Sequence, residues 1–243
     1  EEYRFLAQQM ARLRDQGALV QVLDVLLRTE KNSASQPLVD EISHGDVVIG
    51  RLGKLESLET LKLQPENMGL VYTDSDADGI QRRYTLVGQG HGSEGPVPSL
   101  ALAAYLLRCG LKFDSKRYDP SSDTYLLEDF DDRGEARSRR LSNSFYPDYR
   151  FAWSQDSSGN FSHITPQALA AFEKSGARNQ LEGKTVFIGY VDPGGSDIGA
   201  NPIDSAYPKV LNHAAAYNDL IQQSGRQSIP WKYLLWIPWL AHA

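Results

Sequence analysis

The chain has 243 residues, of which 41% are hydrophobic and 23% charged, a composition typical of a globular protein that buries a full core. Its formal net charge of −6 argues against non-specific binding to nucleic acid or to an anionic membrane surface, because both require a basic face. The single cysteine, Cys109, excludes an intrachain disulfide and a thiolate metal cluster.

Hydrophobic spacing predicts helices and strands in alternation along the chain. Apolar positions at helical intervals predict a helix over Tyr3–Gln16 with Gly17 as its C-cap. The almost wholly apolar run Leu19–Leu27 predicts a strand buried in a parallel sheet. By the same criteria, the later elements are a helix near Pro37–Ser43, a strand Asp46–Gly50, a helix Leu100–Arg108 capped by Ser99, a strand within Phe145–Trp153, a helix Thr165–Lys174 capped by Thr165, a strand Lys184–Tyr190 and a helix Val210–Gln223. Among the strands, Lys184–Tyr190 has the clearest pattern of a buried one.

One further pair of strands is predicted to be antiparallel. Gly69–Thr73 and Ile80–Val87 flank an Asp/Gly turn, which favours a hairpin. The predicted fold class is therefore α/β, with three layers and a mixed, mostly parallel sheet that includes one antiparallel hairpin. No repeat or linker divides residues 1–230, which we expect to form one domain.

The segment Asp74–Gly79 matches the opening of a calcium loop, in which alternate carboxylates wrap the cation. Such a loop needs a bidentate glutamate at its twelfth position, which Thr85 occupies here. We therefore expect a turn in which Gly79 adopts a positive φ and no metal is bound. No other group of residues has metal-ligand spacing, and we expect no cofactor.

Residues 110–140 are polar, with arginines and carboxylates interleaved between Glu128 and Arg140. Mixed charge of this kind usually belongs to a solvated segment, so we expect an exposed excursion from the fold. Immediately before it, Cys109 follows an apolar helix, and we expect it to be a small buried residue.

The loop after the strand Lys184–Tyr190 is the candidate binding site. Ligands of open α/β sheets favour the carboxyl ends of strands, and glycines in this loop leave backbone donors accessible. The next helix begins nearby, with unpaired amides expected to face the same space. The predicted ligand-binding residues are Asp192, Gly194, Gly195, Asp197, Asn212 and His213. A plain solvated connection is the alternative that the sequence leaves open.

A catalytic role has little support in the sequence. His213, Ser196 and Asp197 are residue types of a hydrolase triad, but the chain has no G-x-S-x-G elbow. The loop also lacks the Gly-Lys-Ser/Thr of a phosphate-binding loop. A packed histidine is the simpler interpretation of His213, and we expect no catalytic residue in this chain.

Residues 231–243 differ in composition from the rest of the chain. Trp231–Leu240 contains three tryptophans and a tyrosine beside one lysine, which resembles the aromatic belt at a membrane interface. A membrane helix needs about 20 apolar residues, so we expect this segment to be the start of one. An aromatic segment docked on the domain is the alternative. The opening Glu1-Glu2-Tyr3-Arg4 has no signal-peptide pattern, and we expect it to lie inside a longer protein.

Three short patterns occur in a fixed order. Asp76–Arg83 has the pattern D-x-D-G-x-x-R-R and is followed by P-S-L-A at Pro98–Ala101. Leu181–Gly189 has the pattern L-x-G-K-x-V-x-I-G, and Pro208–Ala214 has P-x-V-x-x-H-A. With the helix–strand pair Leu13–Leu27, these segments resemble the type-two CHASE domain, an extracellular sensing module of bacterial cyclases, histidine kinases and diguanylate cyclases. The family has a glycine where this chain has Lys209.

The resemblance implies a position and a role. It places the domain on the periplasmic side of a bacterial inner membrane, between an N-terminal anchor and membrane helices that lead to a cytoplasmic output domain. The implied role is sensory, with no enzymatic activity in this chain. The partner would be an unknown small molecule or an envelope protein; a homodimer is compatible with this role, and nucleic acid is not expected. A structural or oligomerising module of a cell-envelope assembly is the alternative.

Overall fold

A computed structural model of the chain describes residues 2–25, 36–51, 67–71, 75–90, 95–130, 134–149, 164–176, 179–190, 197–222 and 226–227. Within these ranges the α-helices are α1 (Glu2–Asp15), α2 (Gln36–Ile42), α3 (Leu100–Arg108), α4 (Pro166–Ser175) and α5 (Lys209–Gln222). The strands are β1 (Val20–Asp24), β2 (Val47–Arg51), β3 (Met68–Leu70), β4 (Tyr84–Thr85), β5 (Val87–Gln89), β6 (Pro96–Pro98), β7 (Tyr118–Asp119), β8 (Thr124–Phe130), β9 (Ala136–Ser142), β10 (Ser144–Tyr146), β11 (Thr185–Gly189), β12 (Ile198–Gly199), β13 (Tyr207–Pro208) and β14 (Arg226–Gln227).

A four-stranded parallel sheet in the order β11-β1-β2-β3 lies at the centre of the fold. Every residue of β2 and the first four of β1 are buried, because helices cover both faces of these inner strands. Such double burial requires a continuous apolar run, which is the pattern that the sequence shows at Leu19–Leu27. The strand prediction is confirmed for the part of that run within β1.

Helices cover the two faces of the sheet in separate layers. On one face, residues of α1 and α2 pack with Leu23, Val47 and Ile49. On the other, α3 and α5 pack with Val20 and Val22 of β1. Successive side chains of a strand point to opposite faces, so neighbouring residues of β1 contribute to different layers. The prediction of a three-layer α/β fold with a mostly parallel sheet is confirmed.

The predicted helix caps are also confirmed. The Ser99 hydroxyl accepts a hydrogen bond from an amide in the first turn of α3, and Thr165 does the same for α4. Gly176 ends α4 in the left-handed conformation, with φ of 70°. The burial expected for Cys109 is wrong, because this residue follows the last residue of α3 and is exposed.

The predicted depth of β11 needs correction. The strand forms as expected, but its residues are only half-buried because it lies at the edge of the central sheet and pairs with β1 on one side. The inner strands β1 and β2 are the buried ones. A hydrophobic run indicates that both faces of a strand are packed against other elements, but it does not show whether the strand has one neighbouring strand or two.

The predicted hairpin between Gly69–Thr73 and Ile80–Val87 is wrong within the described residues. β3 joins β2 in parallel, and β4 pairs with β10 instead. Gly69 lets β3 pass directly under α3, because a Cβ added there would lie 2.5 Å from Cα of Leu100. The turn itself is confirmed: Gly79 has φ of 78° and donates to the carbonyl of Asp76 at 2.8 Å.

The expectation of an exposed excursion at residues 110–140 holds for most described side chains of this segment but is wrong for the face that packs on the core. The segment forms the antiparallel sheet β7-β8-β9, in which Tyr125 and Leu127 are buried against α3. Asp129 is buried on the same face and forms ion pairs with Arg137 at 2.8 Å and Arg139 at 2.6 Å. Part of the charge in this segment therefore belongs to a buried ion-pair network that anchors β9 to β8.

The strand expected over Phe145–Trp153 is confirmed only for the two residues within β10, 145 and 146; residues 147–149 are not in a strand, and residues 150–153 lie outside the described residues. The predicted membrane segment Trp231–Leu240 lies outside them too. No helix in the described part of the chain has the length and hydrophobicity that crossing a membrane requires.

Candidate functional site

The carboxyl ends of β1 and β11 meet the first turn of α5. β1 ends at Asp24, which is opposite Gly189 at the end of β11. A Cβ added to Gly189 would lie 2.7 Å from Cβ of Val210, a distance that real side chains do not tolerate. The helix therefore rests directly on the strand, which gives the glycine of the L-x-G-K-x-V-x-I-G pattern a steric reason.

His213 occupies the interior of this junction and is 1% exposed. Its Nδ1 lies 2.6 Å from the hydroxyl of Tyr84, and its Nε2 lies 3.8 Å from Oδ2 of Asp24. The Tyr84 oxygen accepts from the amide of Ala101 at 3.3 Å, which leaves its own proton for Nδ1. This arrangement assigns the neutral tautomer with hydrogen on Nε2, directed toward Asp24. The expectation of a packed histidine is confirmed.

Burial shifts both members of the Asp24–His213 pair toward their neutral forms. Burial raises the pKa of Asp24, and His213 opposes that shift. The carboxylate of Asp197 raises the same pKa further, while Lys209 lowers it. Burial lowers the pKa of His213, with Asp24 acting in the opposite direction. The junction is therefore a polar cluster in which burial disfavours a charge on either side chain.

Three of the predicted ligand-binding residues fall outside the described residues, namely Asp192, Gly194 and Gly195. The other three lie at the start of α5. The carbonyl of Asp197 accepts from the amide of Lys209 at 2.8 Å, which fixes the beginning of the helix. Asn212 is buried and donates to the side chain of Gln81. The structure thus gathers Asp197, Asn212 and His213 around one helical turn, and their role in binding stays a prediction.

Asp24, Tyr84 and Gln81 belong to this junction but were not among the predicted site residues. The signal for Asp24 was present, since it is an acid within an almost wholly apolar run. Gln81 and Tyr84 follow the turn at Gly79, where the sequence offers no clue that one residue is 4% and the other 1% exposed. Their burial depends on α5, which is distant along the chain: Tyr84 and His213 are 129 residues apart.

The turn before them is held by ion pairs. Arg82 bonds to Asp78 at 2.7 Å and to Asp76 at 3.1 Å, and Arg83 bonds to Asp76 at 2.5 Å. Hydrogen bonds from Arg82 lower the pKa of Asp78 to about 2. The arginines of the D-x-D-G-x-x-R-R pattern thus neutralise its carboxylates. Within the described residues no group of three or more His, Cys, Asp or Glu side chains is placed to hold a metal ion.

The surface also has an open groove of about 560 Å³, which lies away from this junction. It is found beyond the C-terminal end of α3, and its walls include Phe113, Arg117, Glu128 and Phe130. Arg117 and Glu128 pair with each other across it at 2.7 Å. Charged groups of the wall pair with one another, and none of the predicted ligand-binding residues lines this groove.

Comparison with known proteins gives one match. The family model described as the CHASE2 domain matches residues 2–242, essentially the whole chain. No curated protein and no solved structure matches the chain.

Proposed function

The chain belongs to the CHASE2 family of extracellular sensory domains, and we propose that it is the periplasmic sensing domain of a bacterial inner-membrane signalling protein. The catalytic output, a cyclase, a diguanylate cyclase or a histidine kinase, belongs to another part of that protein. This chain binds a stimulus, a small molecule or an envelope protein, and passes a conformational change to the membrane helices. The segment Trp231–Leu240 begins the first of those helices.

The observation that carries the proposal is the position of α5. Its first turn contains Asn212 and His213 and is fixed by the carbonyl of Asp197. Its last residue, Gln222, is followed in the sequence by β14, which pairs with β10, and then by the aromatic segment. Residues 197–199, which we call the Asp197 segment, contact the start of this helix. A stimulus that favours one arrangement of the Asp197 segment would therefore act on the helix that leads toward the membrane. Such coupling requires that the stimulus bind the two arrangements with different affinity.

Cys109 offers a direct test of the location, because it is the one cysteine of the chain and is exposed. The full-length protein in intact spheroplasts is treated with a maleimide that does not cross membranes. The pH is set high enough to offset the raised pKa that partial desolvation by neighbouring groups gives this thiol. We expect labelling before lysis and its loss in Cys109→Ser. Labelling of Cys109 only after lysis would place the domain on the cytoplasmic side.

The sensory role is tested by the output of the full-length protein in cells. Asp197→Ala and Asn212→Ala should change the amount of second messenger or of phosphorylated product, while Asp15→Asn, an exposed change at the end of α1, should leave it unchanged. If neither substitution at α5 alters output and removal of the domain alters only assembly of the protein, the alternative of a structural or oligomerising module is correct.

A further inference from the structure

The Asp24–His213 pair lies between the central sheet and α5. Asp24 is partly buried at the end of β1, His213 is wholly buried on α5, and their nearest polar atoms are 3.8 Å apart. This distance exceeds that of a direct hydrogen bond, so the two side chains are near each other but are not hydrogen-bonded. Tyr84 holds the far side of the imidazole at 2.6 Å and is itself tied to the start of α3. A change of charge here acts on a strand and two helices at once.

We propose that this pair is a proton-linked switch, which takes up one proton as the surroundings become more acidic and thereby changes how the Asp197 segment lies against the start of α5. The inference rests on the proposed sensory function only for its effect on output. It names acidity as an input of the domain.

The proton adds to a carboxylate oxygen of Asp24, so the net charge of the pair changes from −1 to zero. The neutral imidazole keeps its hydrogen on Nε2, and the Tyr84 hydroxyl continues to donate to Nδ1. Burial favours this outcome over a charged pair, because it penalises both the carboxylate and the imidazolium. No other bond is made or broken.

The charged and titratable groups around the pair give the change a direction. Among the described residues they are Asp24 on β1, Tyr84 on β4, Asp197 and Lys209 at the start of α5, and Tyr149 after β10. Protonation of Asp24 removes its repulsion of Asp197 and its attraction for Lys209. Because the Asp197 carbonyl accepts from the Lys209 amide, both effects act on the same connection. Its Asp197 side is released toward the pair and its Lys209 side away from it, so the connection tilts against the start of α5.

The chain itself provides the first test, by NMR of ¹³C-labelled carboxyl groups and ¹⁵N-labelled imidazoles over a pH titration. The Asp24 carboxyl should titrate at a clearly higher pH than that of Asp78, whose pKa lies at about 2. The amide signals of Asp197 and Lys209 should follow the Asp24 curve, and His213 should retain its Nε2 hydrogen throughout that range. A carboxyl curve that coincides with that of Asp78 would overturn the proposal.

Two variants sharpen this result. Asp24→Asn should remove the titration from the amides of Asp197 and Lys209, whereas His44→Asn, a change at an exposed histidine, should leave it intact. Persistence of the amide curve in Asp24→Asn would also overturn the proposal. If that variant does not fold, the wild-type carboxyl curve decides the matter alone.

The final test is the pH dependence of output from the full-length protein in cells. Acidification through the Asp24 titration should change output in the wild type and not in Asp24→Asn. Proton uptake by the chain without any such change would refute acidity as an input. Failure of the sensory proposal itself gives a different result, namely unchanged output in Asp197→Ala and Asn212→Ala while removal of the domain alters only assembly of the protein.

Discussion

Replacing Gly189 with alanine tests whether α5 rests on the end of β11. The added Cβ would lie 2.7 Å from Cβ and 2.8 Å from Cγ2 of Val210, and one of those atoms belongs to the helix framework and cannot rotate away. The helix must therefore shift by roughly 1 Å, and overpacking of this kind costs about 1–3 kcal/mol. Alanine also restricts the unfolded chain, which offsets about 0.4–1 kcal/mol of this loss in the free energy of unfolding.

Gly199→Ala provides the matched control. Gly199 is also a strand glycine near α5, but its added Cβ would meet only the flexible side chain of Lys209, at 3.4 Å. Both variants gain the same unfolded-state restriction, so their difference isolates the steric contribution. We expect Gly189→Ala to have a free energy of unfolding about 1–3 kcal/mol below that of Gly199→Ala, measured by urea denaturation with circular dichroism. A difference below about 0.5 kcal/mol would show that α5 docks loosely and would refute the steric argument.

Four further outcomes are expected. Tyr84→Phe should lower the free energy of unfolding in urea by about 1–3 kcal/mol, since it leaves a buried imidazole nitrogen without a donor, whereas Tyr146→Phe at an exposed ring should change it little. Gly79→Ala should cost about 1 kcal/mol in the same assay because its φ is positive, and Gly79→Asn should cost less. Asp129→Asn should lower the free energy of unfolding by roughly 3 kcal/mol. Although burial raises the pKa of Asp129, hydrogen bonding from its partners lowers this pKa to about 2. The stabilisation that the carboxylate provides is therefore present above its unfolded-state pKa and is lost as the pH falls toward 2 in acid denaturation. Calcium titration by calorimetry should show no saturable micromolar binding, because the carboxylate of Asp76 is already paired; binding abolished by Asp76→Ala would contradict this.

The elements predicted correctly are those whose signal is local. The helix Leu100–Arg108 and its cap Ser99 follow from nine consecutive residues and one hydroxyl, and the structure has the same bounds. The strand within Leu19–Leu27 follows from apolar residues that face helices on both sides. In each case the residues that decide the structure are adjacent in sequence.

The errors concern partners that are distant in sequence. β3 pairs with β2 and β4 pairs with β10, and no local pattern reveals either partner. The charge around Asp129 was assigned to solvent because a buried carboxylate and its two arginines have the same composition as an exposed mixture. Burial of a charge is decided by geometry, and composition carries no record of it.

The candidate site divides in the same way. Glycines after a strand and a helix that follows them identify the region around Asp197 and His213 from the sequence. Asp24 and Tyr84 join that region only because β1 and β4 meet α5 in the folded chain. A pattern of residue types identifies the elements of such a site, whereas the polar contacts between elements require the structure.

The packing of α5 shows why a change at this site need not stay local. Its first turn lies on Gly189, its middle packs with α3 in the main hydrophobic core, and Asp219 near its end accepts from the amide of Asp148, two residues after β10. Close-packed interiors transmit displacement because side chains have little free volume to absorb it. A shift at the first turn is therefore opposed by α3 on one side and by the segment after β10 on the other. A change in charge at Asp24 therefore acts, through α5, on α3 and on the segment after β10, the neighbours against which the helix packs.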